Sequence, residues 1–167
     1  MMTAFFDTLR LIAMLLSAGA LLAAAFCDVR SYQIPNRLPA IIALSFLAAA
    51  PGTGAASAVA AIATAGGVFA IGVVLFVQRC LGGGDVKLLA ATALWVPPAL
   101  FAPFTLVTAA VGAALGLVML SPLRRWLPPA PEELLSSGVA GSLRQPMPFG
   151  VAIAAGGLFA LAARLNA

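Results

Sequence analysis

Two aspartates are the residues whose type and setting suit this chain to chemistry. Asp28 opens Asp28-Val29-Arg30 at the end of the first apolar run, and Asp85 follows the glycines of Gly82-Gly83-Gly84-Asp85-Val86-Lys87. Acidic residues number five in 167, and 63% of the chain is apolar. A carboxylate at the edge of a long apolar run is expensive to keep, which marks it as a functional-site candidate. Glycines before Asp85 have no side chain to hold a peptide backbone away.

Two carboxylates brought together do not both ionise readily, so they share a proton. One then serves as general base on a water while the other, protonated, polarises a scissile carbonyl. The simpler structural reading differs between the two. Asp85 stands at a predicted helix start, where free amides and the helix dipole favour an acid. Asp28 stands near a predicted helix end, where the dipole opposes it, so a chemical role accounts for it more economically, although a salt bridge to Arg30 or Lys87 would also offset the dipole.

The rest of the composition removes other chemistries. The chain has no histidine, which excludes His-dependent triads and leaves no usual zinc cluster. Cys27 and Cys80 are too far apart in sequence for a close-spaced metal pair, and both read as small packing residues. Lys87 is the sole lysine, but no serine stands in a distinctive setting for a Ser/Lys dyad, Ser31 being merely nearby. No cofactor is expected. The net charge of +4 and pI near 10 come from single Lys and Arg residues in loops, which reads as topogenic charge rather than a nucleic-acid surface.

These aspartates must be positioned by membrane helices. With 8% charged residues and a mean hydropathy of +1.11, the chain is predicted to be all-α: one polytopic membrane bundle, residues 1–167, of about six transmembrane helices. The expected spans are Leu11–Phe26, Leu38–Ala50, Ala58–Val77, Asp85–Trp95, Leu100–Leu120 and Phe149–Ala163. Ala23-Ala24-Ala25 has the small residues of a signal-peptide cleavage site, but the apolar runs that follow favour an uncleaved helix. The bulky Phe26 before Cys27 argues against a lipoprotein site. The fourth span is short, so it either continues through Pro97-Pro98 or sits in thinned bilayer.

Residues 121–148 form the longest polar connection. Within it Pro131-Glu132-Glu133, Leu134-Leu135 and Gly138 carry the signals of one short helix, read as an interfacial turn. Six spans place Arg30, Arg37, Arg79, Lys87, Arg124, Arg125 and Arg144 on one side and only Arg10 and Arg164 on the other. That bias puts the loops with Asp28 and Asp85 at the cytoplasmic face and both termini outside.

Asp28-Val29-Arg30, Ile34-Pro35-Asn36, Gly82-Gly83-Gly84-Asp85-Val86-Lys87 and Pro148-Phe149-Gly150-Val151-Ala152-Ile153-Ala154, in this order, resemble the type IV prepilin peptidase family with its GxGD motif. The resemblance implies a bacterial inner-membrane aspartic peptidase that removes the basic leader of prepilins or pseudopilins. It implies Asp28 and Asp85 as the catalytic pair, Gly82 and Gly84 as glycines of the substrate-admitting loop, and Lys87 beside them, tuning Asp85. The long form's cytoplasmic insertion with two CxxC pairs is missing here, so the chain looks like the short form of Flp or Tad pilus systems. No methyl-donor motif accompanies it, and N-methylation is not expected. Beyond the resemblance, two other classes fit the residues: a small proton- or cation-coupled carrier using the same acids, and a structural scaffold. Both acids lying at one face, with no inverted repeat, weighs against the carrier, and the glycine triplet beside an acid weighs against the scaffold.

Overall fold

The computed structural model describes residues 2–126 and 147–165, with Arg124 and Trp126 described in their backbone alone. Among the described residues six α-helices form and no strand does: α1 (Met2–Ser31), α2 (Arg37–Ala49), α3 (Ala55–Val77), α4 (Gly83–Ala93), α5 (Pro98–Leu120) and α6 (Phe149–Leu165). Short 3-10 turns follow α2 at Ala50–Gly52 and α5 at Pro122–Trp126. Helices α1, α3 and α5 are long and apolar enough to cross a membrane; α2 with its 3-10 turn, and α6, are shorter apolar helices. The short helix expected within 131–138 lies outside the described residues.

The boundaries differ from the apolar runs for physical reasons. An apolar run measures the stretch that suits hydrocarbon, whereas a helix continues wherever its backbone bonds continue. Helix α1 therefore extends through Asp7 and Arg10 at one end and through Asp28 to Ser31 at the other. It stops at Tyr32, which takes a left-handed backbone (φ 52°) and donates its N–H to the Asp28 carbonyl at 2.8 Å. Helix α4 does not pass through the prolines. Pro97 is extended, and Pro98 begins α5, where its missing N–H is no loss.

Helix α1 turns a stripe of mostly small residues inward and large ones outward. On α1 the buried stripe is Ala13, Ser17, Ala20, Leu21, Ala24 and Asp28, spaced three and four apart. The opposite stripe of Leu11, Leu15, Leu22 and Phe26 is exposed, as a lipid-facing surface requires. Three buried hydroxyls satisfy themselves within their own helices: Ser17 donates to Ala13 O, Thr92 to Leu88 O and Thr108 to Phe104 O.

Helix α4 is the inner element. Of its residues only Lys87 is exposed, and it packs on α3, α2 and α6. Helix α1 packs on α2 and α6, so α1 and α4 are held in relation to each other mainly through those two shared neighbours. Beyond the C-terminus of α4, Trp95 is 2% exposed, stacks edge-on against Phe46 at 5.5 Å and donates Nε1–H to the Ile42 carbonyl at 3.2 Å. Burying an aromatic of this size contributes about 2–3 kcal/mol. It also pins that end of α4 to α2.

Candidate active site

Asp28 and Asp85 come to the same end of the bundle, at the C-terminus of α1 and the N-terminus of α4. Asp28 continues the inward stripe of α1, one turn beyond Ala24, and is 4% exposed. The C-terminal dipole of α1 opposes a negative charge there. The N-terminus of α6 offsets it: the backbone N–H of Gly150 donates to Asp28 Oδ2 at 2.6 Å. Burial outweighs this and pushes the Asp28 carboxyl up to about 6, while the charge-assisted bond from the free helix-terminal amide opposes the rise by favouring the ionised carboxylate. Neither Arg30 nor Lys87 pairs with Asp28; the Arg30 guanidinium lies over the Phe26 ring at 5.3 Å.

Asp85 is the third residue of α4, whose N-cap is Gly82. From that position its carboxyl reaches back to the Gly82 N–H, half of a capping box. The other oxygen, Oδ1, is buried without a hydrogen-bond partner among the described residues. Burial pushes the Asp85 carboxyl up to about 7; the Asp28 charge acts in the same direction, and the Gly82 amide opposes both. The site therefore contains two carboxyls raised by burial, Asp28 steadied by an external helix terminus and Asp85 raised further and left with a free oxygen.

The glycines admit the protein's own groups. A Cβ on Gly82 would lie 2.9 Å from Asp85 Oδ2, and one on Gly84 would lie 3.2 Å from the Ile34 Cβ. Gly82 remains exposed on its outer side. A Cβ on Gly150 would sit 2.8 Å from Asp28 Oδ2 and 2.9 Å from Ile34 Cδ1. Ile34, in the α1–α2 loop, thus lies against both backbones that carry hydrogen bonds or motif geometry for the carboxylates.

Lys87 points to a different partner from the one its place in the motif suggests. Its ammonium donates to Asn36 Oδ1 at 2.9 Å and makes no ion pair with Asp85. It ties α4 to the loop that contains Ile34. Cys27 is partly buried and Cys80 exposed, both as free thiols, and among the described residues no group of three His, Cys, Asp or Glu side chains could hold a metal.

Sequence reasoning brought Asp28, Asp85, Gly82, Gly84 and Lys87 forward, and these gather around one end of α4. Ile34, Asn36 and Gly150 stand within the same motifs, with nothing in the sequence to assign them a task. A backbone N–H has no side-chain signature, so the role of Gly150 is visible only once α6 is docked. The sequence model of the type IV leader peptidase family matches residues 15–117, a stretch that contains both aspartates and the glycine loop but ends before Gly150. No curated protein and no solved structure matches the chain.

Proposed function

The chain belongs to the type IV leader peptidase family, and from that premise we propose that it is the membrane aspartic endopeptidase that removes the leader of Flp-type prepilins or pseudopilins, with Asp28 and Asp85 as the catalytic pair. The observation that carries this reading is the meeting of two carboxyls, contributed by α1 and α4, around a buried and unpartnered oxygen. The charge bias of the loops supports an active site at the cytoplasmic face of the bacterial inner membrane.

Each carboxyl takes the role that its surroundings favour. Asp28, held by the Gly150 amide, is the base, and Asp85 carries the shared proton. A water between them gives a proton to Asp28 as its oxygen attacks the scissile carbonyl carbon. Asp85 donates its proton toward the carbonyl oxygen, stabilising the charge that develops there. The resulting tetrahedral diol collapses when Asp28 returns its proton to the leaving nitrogen, the C–N bond breaks, and one diol hydroxyl gives its proton back to Asp85. The new carboxyl and amino termini separate and no cofactor is consumed. The prepilin enters with its apolar segment in the bilayer and its leader junction between Asp28 and Asp85, beside the glycine loop. Gly84 and Lys87 fix the loop around it, the first by admitting Ile34 and the second through Asn36.

The test is co-expression with a tagged Flp-type prepilin, reading the mass of the pilin. Loss of the leader with the wild type, and its retention with Asp28→Asn and with Asp85→Asn, is the expected result. Normal leader removal by either variant would sink the assignment.

A further inference from the structure

We propose that the end of the bundle opposite the two aspartates is a site for an anionic phospholipid whose headgroup phosphate is bound by Arg164. A cleft of about 350 Å³ opens there, with Phe46, Thr53, Ser57, Val96, Pro97 and Arg164 among its lining residues. It lies between the end of α2, the start of α3, the α4–α5 joint and the last turn of α6.

Arg164 is partly buried and held in a fixed pose. Its guanidinium lies over the Trp95 ring at 5.7 Å and donates Nη1–H to the Trp95 carbonyl at 3.1 Å. Trp95 is itself locked by Phe46 and Ile42, so the cation has a rigid base. A guanidinium has five N–H donors, and the Trp95 carbonyl accepts from one of its nitrogens. The other charge that acts on it is Arg10, of the same sign. Among the described residues no carboxylate pairs with either arginine. Two neighbouring cations in a partly desolvated site make a place where an anion is favoured.

The shape of the cleft specifies an amphiphile rather than a free ion. Arg164 and the Ser57 hydroxyl, which has no hydrogen-bond partner among the described residues, provide the polar edge. Below them Ala56, Ala60 and Ala61 line the apolar part, and Gly67 and the exposed Ile71 stand on the same face of α3 further along the bundle. A phosphodiester seated against Arg164 would leave its acyl chains on that face. A guanidinium holds a phosphate through charge-assisted hydrogen bonds in a planar fork. A zwitterionic lipid offers the same phosphate with its own cation attached, which Arg10 and Arg164 repel.

The test uses the purified full chain in detergent, titrated with phosphatidylglycerol or phosphatidylcholine of identical acyl chains, with bound lipid counted by native mass spectrometry and Tm recorded alongside. The wild type is expected to prefer phosphatidylglycerol by about tenfold, roughly one charge-assisted contact, and to gain Tm with it. Arg164→Gln loses the preference and the Tm gain. Ser57→Leu, which fills the cleft without changing charge, loses them too and decides the matter if Arg164→Gln fails to fold. Equal binding of the two lipids by the wild type overturns the proposal. So does a preference that survives in Ser57→Leu, or a Tm gain from inorganic phosphate alone that equals the gain from phosphatidylglycerol. Leader cleavage is a separate readout, so its loss or retention leaves this result standing.

Discussion

Each end of the bundle places two like charges near each other and steadies one of them on a backbone atom. At one end Asp28 accepts from the Gly150 amide while its charge acts on Asp85. At the other Arg164 donates to the Trp95 carbonyl while Arg10 acts on it. Helix α6 serves both ends, its first turn giving an N–H to the acid and its last turn supplying the cation. The two ends relieve the repulsion differently. A carboxyl pair takes up a proton; guanidinium groups stay charged and must find a counter-anion. On the two proposals above, the same arrangement serves as a proton-sharing centre at one end and as an anion site at the other.

The contrast breaks most severely if the acid pair is not a unit. Asp28→Asn and Asp85→Asn should each lower cleavage by roughly 10³-fold or more, and the double variant should be no worse than either single one, because residues that act together are not additive. A double variant that multiplies the two losses would mean independent tasks. Single-turnover cleavage of a prepilin peptide in detergent makes the measurement.

The Gly150 amide comes next. Gly150→Ala pushes a methyl against Asp28 Oδ2 and Ile34 Cδ1, and a displacement of this kind costs about 10² in rate. Gly19 and Gly66 have nothing near their missing Cβ, so alanine at either should leave cleavage unchanged. A Gly150→Ala enzyme as fast as those two would detach α6 from the chemistry.

The proton should be visible in pH dependence. Cleavage is expected to fall as pH rises past about 7, where Asp85 loses its proton. Stability follows with a defined sign. The native pKa of Asp85 is raised above the ordinary 3.8, so its contribution is fully present below about pH 4 and is lost as pH climbs to about 7. Asp85→Asn should thus melt several degrees above wild type at pH 8 and close to it at pH 4. A stabilisation equal at both pH values would assign the gain to packing. Smallest is the tether: Lys87→Ala and Asn36→Ala should each slow cleavage by about two- to fivefold, the worth of one partly exposed hydrogen bond, without adding in combination.

Much of the acid end was legible because charges are so scarce in this chain. An aspartate after three glycines and another at the edge of an apolar run stand out against a background that is 63% apolar. The helical architecture was legible for the same reason. The helix ends were less so: polar residues such as Asp7, Arg10 and Arg30 end the hydrocarbon-compatible stretch without ending the helix, and α1 runs on to the left-handed Tyr32. The partner of Lys87 was hidden because a motif places a side chain without aiming it. The basic end was illegible altogether. Arg10 and Arg164 are separated by nearly the whole sequence, and only the packing of α1 against α6 brings them together.

The enclosure of α4 bears on how this protein tolerates different bilayers. Eleven residues make a helix of about 16 Å, roughly half the hydrocarbon thickness of a membrane. Helices with a lipid face answer a thicker or thinner bilayer by tilting. Helices α1, α3 and α5 have such faces, with Leu15, Val74 and Leu117 turned outward. Helix α4 has almost none, being wrapped by α2, α3 and α6 and pinned beyond its C-terminus by Trp95. Hydrophobic mismatch then falls mainly on the rim helices, α1 with its Asp28 among them, while Asp85 on the enclosed α4 keeps its depth as the surrounding lipid changes.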